Sequence, residues 1–415
     1  MNYLLRILLY FLLSLPVQAK TTIGYDSQGY PALMVDGKVF EPRGYNVVIQ
    51  HQGEPYQSFA TFDVEYFNPE MLERNFKILE KAGYNYVRLW LKGYDADNGF
   101  GLQAPGISDS YVNNVLLGMQ LARRHGLQVV LTGSFRPGVW MPANYMPAGQ
   151  PSGREVSGIN RLLLLPAMAQ ALGDFYENLL TRISEMDNKI ISSILYFDLY
   201  NELHFDLSQP PFERMAGKYV YAGQTYDLAI PGDRQALMDA AGRQWLRTMA
   251  GAIHRVEPDL LITASSFPVA NFGHRGFDGG KILGQPQQWK PYPLRPSVIL
   301  AGGANLIDIH LYTRPAGNNR SRSAQKVVEL LARSDITPAL TAHVPLILGE
   351  FGSKDLFISQ PDKSLPEMET VWQALCPLRP AGYALWVLRG SMAQQTPGGV
   401  ALLHRFGAAT PHCPR

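Results

Sequence analysis

Ile194-Leu195-Tyr196-Phe197-Asp198-Leu199-Tyr200-Asn201-Glu202 is a short apolar run that ends on an amide and a carboxylate. The apolar part, Ile194–Tyr200, is continuous rather than alternating, as expected of a strand in a parallel sheet covered on both faces. Seven more runs share this form: Val39–Val48, Tyr84–Leu91, Leu127–Thr132, Leu260–Ala264, Leu306–Leu311, Val344–Leu348 and Tyr383–Leu388. Helical patterns separate them at Pro69–Ala82, Ser110–His125, Pro166–Met186, Asp233–Val256, Ser321–Arg333 and Pro366–Leu375. Eight strands with interposed helices predict an α/β fold, a (β/α)8 TIM barrel with long loops at the C-terminal face of the strands. A doubly wound sheet is the alternative, but no Gly-x-Gly-x-x-Gly motif follows an early strand. Two places depart from the pattern. The connection Asn271–Ala304 is rich in Gly and Pro without a good helix, and no convincing helix follows the eighth run.

Composition narrows the function. The 415 residues carry 37 Lys and Arg against 35 Asp and Glu, a net charge of only +2, which gives no footprint for nucleic acid. At 46% hydrophobic and 17% charged, the chain is too apolar for disorder. The 38 glycines and 30 prolines call for many turns or long shaped loops. Length alone suggests two or three domains, yet α/β barrels run well beyond the usual domain size, and no linker, repeat or charge run cuts the chain. Residues 20–415 are therefore expected to form one catalytic barrel. Residues 1–19 carry one Arg, the apolar run Ile7–Leu15 and small residues at Val17 and Ala19, which predicts a signal peptide cleaved before Lys20. Export to a secreted or periplasmic location follows, with no membrane association after cleavage. There Cys376 and Cys413 either pair and tie down the C-terminal tail or remain two thiols.

Two strand ends carry a glutamate directly after a buried run, Glu202 on the fourth and Glu350 on the seventh, in Pro345-Leu346-Ile347-Leu348-Gly349-Glu350. A carboxylate buried beside apolar side chains is costly unless it is paired or used. In a TIM barrel that end of the strands holds the chemistry.

These segments resemble the glycoside hydrolases of clan A, and most closely its cellulase and mannanase family, family 5-like. The motifs are Asn201-Glu202, Glu350, Val87-Arg88-Leu89-Trp90 on strand two, Asp308-Ile309-His310-Leu311-Tyr312 on strand six, Ala384-Leu385-Trp386 on strand eight and Phe40-Glu41-Pro42-Arg43-Gly44-Tyr45-Asn46 on strand one. The resemblance covers roughly residues 39–390. It departs at strand three, where Thr132-Gly133-Ser134 stands in place of the His common in the cellulases, and this leans toward mannanase-like members.

The resemblance implies a retaining hydrolase of β-linked glucan or mannan, with Glu202 as acid/base and Glu350 as nucleophile, and a monomer is expected. It places Arg88, Asn201, His310, Tyr312 and Trp386 against the substrate and asks for neither cofactor nor metal. Arg88 and Tyr312 are expected to hold Glu350 ionised, Asn201 to bond the sugar 2-hydroxyl and Trp386 to floor the subsite. Asp198 and His204 stand behind these at most. Loop aromatics Trp140, Tyr145, Tyr219, Tyr221, Tyr226, Trp289 and Tyr292 offer either further subsites or plain loop anchors. Asn319-Arg320-Ser321 fits a glycosylation acceptor. Exo-action or transglycosylation with the same residues, and a non-catalytic glycan-binding barrel, are the alternatives. A metal hydrolase fits less well, since the first strand has no His-x-His pair.

Overall fold

A computed structural model describes residues 20–48, 61–91, 107–134, 156–267, 291–313, 343–353, 361–389 and 403–407. The N-terminal strands β1 (Thr21–Tyr25), β2 (Pro31–Val35) and β3 (Lys38–Phe40) form an antiparallel sheet of their own. The barrel begins at β4 (Arg43–Val48) and continues through β5 (Tyr86–Leu91), β6 (Gln128–Gly133) and β7 (Ile194–Asp198). After β7 come β8 (His204–Asp206) and the hairpin of β9 (Lys218–Tyr221) and β10 (Gln224–Asp227). The fifth barrel strand is β11 (Ile262–Thr263), and β12 (Pro291–Pro293) pairs with β8 outside the barrel. Strands β13 (Ile307–Thr313), β14 (Leu346–Ser353) and β15 (Gly382–Arg389) complete it.

The eight barrel strands lie in the order β11-β7-β6-β5-β4-β15-β14-β13, all pairs parallel. A parallel bridge from Ser266 to Ile309 joins the two ends of this sheet, with Ser266 N–H on Asp308 O at 3.0 Å and His310 N–H on Ser266 O at 2.8 Å. This is the (β/α)8 barrel expected from the sequence.

The helices outside it are α1 (Pro69–Ala82), α2 (Asp109–Arg124), α3 (Asn160–Leu164), α4 (Pro166–Met186), α5 (Pro231–Val256), α6 (Pro296–Ala301) and α7 (Pro361–Leu375). Helix α1 shows why its limits were legible. The Asn68 side chain accepts from the Met71 N–H, Pro69 occupies the first turn and Gly83 leaves the helix at φ 91°.

Three expectations change in detail. The run Val39–Val48 is two strands, because Pro42 has no N–H to donate and the chain turns there from β3 into the barrel. The connection Asn271–Ala304 holds β12 and the short α6 in its described part, with Pro296 starting the helix. In place of a last helix, residues 403–407 make one helical turn whose Phe406 ring packs on Phe351 and Tyr383. The segments 1–19 and Ser321–Arg333, and Asn319 and Cys413, lie outside the described residues. No helix among the described residues is long and apolar enough to cross a membrane. Cys376 is disulfide-bonded, and Cys413 is the chain's other cysteine.

Strand side chains alternate between two environments. Val87, Leu89 and Leu91 on β5, and Ile307, Ile309 and Leu311 on β13, belong to the large core between strands and helices. Tyr86, Val130, Tyr196, Leu306, Ile347 and Ala384 point inward and close the lower barrel, joined by Leu33 from β2. The three-stranded sheet is thus a plug at the N-terminal end. Gly44 is needed beside it, since an added Cβ would collide with the Tyr86 ring.

Candidate active site

Toward the C-terminal end of the strands the inward positions turn polar: Asn46 on β4, Arg88 on β5, Thr132 on β6, Asp198 on β7, Ser265 after β11, and Asp308 and His310 on β13. All seven are buried. Arg88 organises them. Its Nη1 donates to Asn46 Oδ1 at 2.9 Å and Glu350 Oε1 at 2.8 Å. Its Nη2 faces Asp198 Oδ2 at 2.6 Å, Asn201 Oδ1 at 2.8 Å and Thr132 Oγ1 at 3.0 Å. A planar guanidinium with fixed donors suits such a task better than an ammonium would.

Glu350 reaches the interior through a β-bulge. Ile347 faces inward, so simple alternation would turn Glu350 outward. The register of β14 shifts against β15 between Leu348 and Phe351 and against β13 between Ile347 and Glu350, where His310 pairs with Glu350. The extra residue is Gly349. Its N–H donates to Asp308 Oδ1 at 2.9 Å, and its carbonyl accepts from Asn46 Nδ2 at 2.8 Å. Two side chains therefore replace the missing ladder bonds, and the bulge re-aims the carboxylate. Glu350 Oε2 accepts from the Tyr312 hydroxyl.

Glu202 sits on the turn after β7 with φ 53°, a left-handed conformation uncommon for a residue with a side chain. Ser265 secures that turn. Its Oγ accepts from the Glu202 N–H at 3.0 Å, its carbonyl accepts from the Leu203 N–H at 3.2 Å, and its N–H donates to Asp198 Oδ1 at 2.8 Å. His310 Nδ1 lies 3.0 Å from Glu202 Oε1 and 3.4 Å from Glu350 Oε2. One oxygen of each glutamate and a ring nitrogen of His310 all fall within 4.8 Å of one another. The same three atoms have the spacing to hold a divalent cation, with the Arg88 charge on Glu350 opposing it.

Burial pushes Glu350 above its ordinary range, with Glu202 adding to the rise, while His310, Arg88 and the Tyr312 hydrogen bond counter it. Arg88 and Tyr312 thus act in the expected direction, toward the charged form, against the larger effect of burial. Burial pushes Asp308 up to about 6. It pushes His310 down, which favours a neutral ring.

The structure brings Arg88, Asn201, Glu202, His310, Tyr312 and Glu350 into one cluster. Trp386 adjoins it, edge-on to Tyr312 at 6.3 Å and to Trp90 at 5.6 Å. His204 stands behind Glu202, its Nδ1 2.7 Å from that residue's carbonyl oxygen. Among the loop aromatics, Tyr221, Tyr226 and Tyr292 are buried and anchor their loops, and Tyr219 packs against the core. Trp140, Tyr145 and Trp289 lie outside the described residues. The reading of motifs missed Thr132, Ser265 and Asp308 as members of the network. A polar residue at an inward strand position was the available signal.

Fold and site together define a (β/α)8 barrel with two carboxylates facing each other across its mouth. No protein-family model and no curated protein sequence matches the chain. Solved structures share its fold. An endo-1,4-β-mannanase from Rhizomucor miehei superposes with a TM-score of 0.60 at 14% identity, over 93% of this chain and 98% of that one. An endo-β-1,4-mannanase from Thermotoga petrophila gives 0.55 at 12%, over 90% and 77%. An exo-β-1,4-mannosidase from Opitutaceae bacterium strain TAV5 gives 0.51 at 18%, over 92% of this chain, which spans 56% of that protein's length. At such identities the likeness establishes the barrel fold that these proteins have in common.

Proposed function

We propose that the chain is a retaining β-glycoside hydrolase of the clan A, family 5-like type, acting on β-1,4-linked mannan or glucan. The observation that carries this reading is the spacing of Glu202 and Glu350, whose nearest oxygens lie within 4.8 Å of each other across the cluster. Retaining enzymes hold their two carboxyl groups about 5–5.5 Å apart, whereas inverting ones leave roughly 6.5–9.5 Å for a water.

Each group then has a task. Glu350, oriented by Arg88 on one oxygen and Tyr312 on the other, attacks the anomeric carbon as the glycosidic C–O bond breaks. Glu202, partly exposed toward the mouth, gives its proton to the leaving oxygen. It then takes a proton from the water that releases the sugar from Glu350, which restores both carboxyl groups. Asn201 Oδ1 is held by Arg88, so its amide N–H groups are left to bond the sugar 2-hydroxyl. Trp386 offers a ring for the apolar face of the sugar.

Mannan is the favoured substrate, in line with the mannanases that share the fold and with Thr132 in place of a strand-three His. Endo-action is the first reading, and exo-action the second, since an exo-mannosidase also shares the fold. Secretion or a periplasmic location rests on the Met1–Ala19 segment and on the disulfide at Cys376.

A panel of soluble β-mannans, β-glucans and xylans, read by reducing ends, tests the activity. Proton NMR of the first product should show the β-anomer. Glu350→Ala should abolish turnover, and Glu202→Ala should lower it by about 10²–10⁴-fold on unactivated substrates. Unchanged hydrolysis in both variants would sink the assignment. Product length over time separates endo from exo cleavage.

A further inference from the structure

Asp308 is a buried carboxylate two residues before His310, and the proposed reaction leaves it without a task. It touches both halves of the site. Oδ1 accepts from the Gly349 N–H at 2.9 Å, so it holds the bulge that aims Glu350. An added Cβ at Gly349 would collide with this carboxylate, so position 349 needs glycine opposite Asp308. Oδ2 accepts from the Tyr196 hydroxyl at 2.9 Å. On the other side, Oδ1 stands 3.8 Å from His310 Nε2.

The His310 ring has its two nitrogens toward different carboxyl groups, Nδ1 toward Glu202 and Nε2 toward Asp308. A neutral imidazole carries one proton, and the nitrogen that holds it decides whether the other donates or accepts. A negative charge beside Nε2 draws the proton there. Nδ1 then presents a lone pair to Glu202, which can satisfy it only as a protonated carboxyl. Glu350 Oε2, 3.4 Å from Nδ1, pulls the other way, with its charge partly offset by Arg88 on Oε1 and the Tyr312 hydroxyl on Oε2.

We infer that Asp308 is a positioning residue that fixes the His310 tautomer with the proton on Nε2, keeps Glu202 protonated as the acid, and holds the Gly349 bulge that aims Glu350. This rests on the proposed hydrolase reading. The other groups facing Asp308 are Tyr196 and Asp198 on β7, Arg88 and Tyr86 on β5, and Glu350 beyond Gly349 on β14. Burial raises Asp308 to about 6 and Asp198 adds to the rise, while His310, Arg88 and the Tyr196 hydrogen bond favour the ionised form, which prevails above that pH.

The test separates the two tasks. Asp308→Asn keeps an oxygen for the Gly349 N–H but removes the charge, whereas Asp308→Ala removes both. In Asp308→Asn the alkaline limb of kcat/KM should move down by about one pH unit, as Glu202 loses its partner in the protonated form. Aryl β-mannosides or β-glucosides with poor leaving groups should slow by about 10–100-fold, while dinitrophenyl glycosides, which need no acid, stay near the wild-type rate. Asp308→Ala should slow both substrate types.

Nitrogen-15 NMR of histidine-labelled protein reads the tautomer directly, with His310 assigned by loss of its signals in His310→Gln. The wild type should show Nε2–H, and Asp308→Asn should shift toward Nδ1–H. Circular dichroism checks each variant's fold. Should Asp308→Asn fail to fold, Tyr196→Phe, which leaves the carboxylate but removes its donor, should move the alkaline limb the same way by less. An Asp308→Asn enzyme with unchanged limb, leaving-group ratio and tautomer would overturn the inference and leave the hydrolase reading intact. A folded wild type with the Nε2–H tautomer and no action on any β-glycan or aryl glycoside would overturn the hydrolase reading instead.

Discussion

Arg88 and Glu350 show how single residues carry the site. Arg88 is one fully buried cation facing Asp198, Glu350 and, through the field of the barrel, Asp308. One positive charge cannot neutralise three carboxylates, so burial leaves Glu350 and Asp308 above their usual range. The sign of the consequence is fixed by chemistry. In the proposed reaction the nucleophile works ionised, and a raised value means that Glu350 is protonated at a pH where an ordinary glutamate, near 4.3, has lost its proton. The acid limb of kcat/KM should therefore lie above that value. Tyr312→Phe removes a donor that favours the charged form, so it should move the limb further up. A limb that stays put or moves down in the pH–rate profile would mean that this hydrogen bond does not act on Glu350.

At the scale of elements, the lower barrel is filled from outside. Leu33 on β2 is fully buried among inward residues of the barrel, including Tyr86, Val130, Tyr196 and Ile347. The N-terminal sheet thus closes the end opposite the chemistry, and its apolar contacts hold up the floor beneath Arg88. Leu33→Ala should cost about 2–5 kcal/mol, seen as a lower urea midpoint at an unchanged m-value. A loss below about 0.5 kcal/mol, the range of an ordinary surface change, would show that the sheet is a bystander. The bulge in β14 is the other telling element. It inverts the facing of a strand within one residue, and side chains from β4 and β13 hold it open.

At the scale of the whole molecule, Cys376 follows α7 and is disulfide-bonded. With Cys413 as the other cysteine, the closed loop runs across the barrel's last strand and the turn at residues 403–407. Constraining the unfolded chain in this way stabilises by about 2–4 kcal/mol. Reduction by dithiothreitol should lower Tm while aryl-glycoside turnover at 25 °C persists, since Arg88, Glu202, His310 and Glu350 lie outside that loop and, of the site residues, Trp386 on β15 lies within it. Equal melting temperatures with and without reductant would contradict this.

The sequence by itself determined the eight strands, most helix limits and the two glutamates. Burial needs show directly in composition: apolar runs mark strands, and Asn68, Pro69 and Gly83 mark helix ends by local backbone chemistry. Arg88, Asn201, His310, Tyr312 and Trp386 were legible through the family resemblance of the strand-end motifs in which they stand. Three things were decided only by the tertiary structure. Continuous apolar runs hid the inward alternation, so nothing in the sequence put Thr132, Ser265 and Asp308 beside Arg88 and the glutamates until the barrel brought them there. Pro42, which has no N–H for a ladder, separates β3 from β4, and only the fold shows that the two strands join different sheets. Gly349 became a bulge only because Asp308 and Asn46, distant in sequence, supply the hydrogen bonds that its strand neighbours do not. Strand identity is local chemistry, but which way a side chain faces depends on partners that the fold alone brings near.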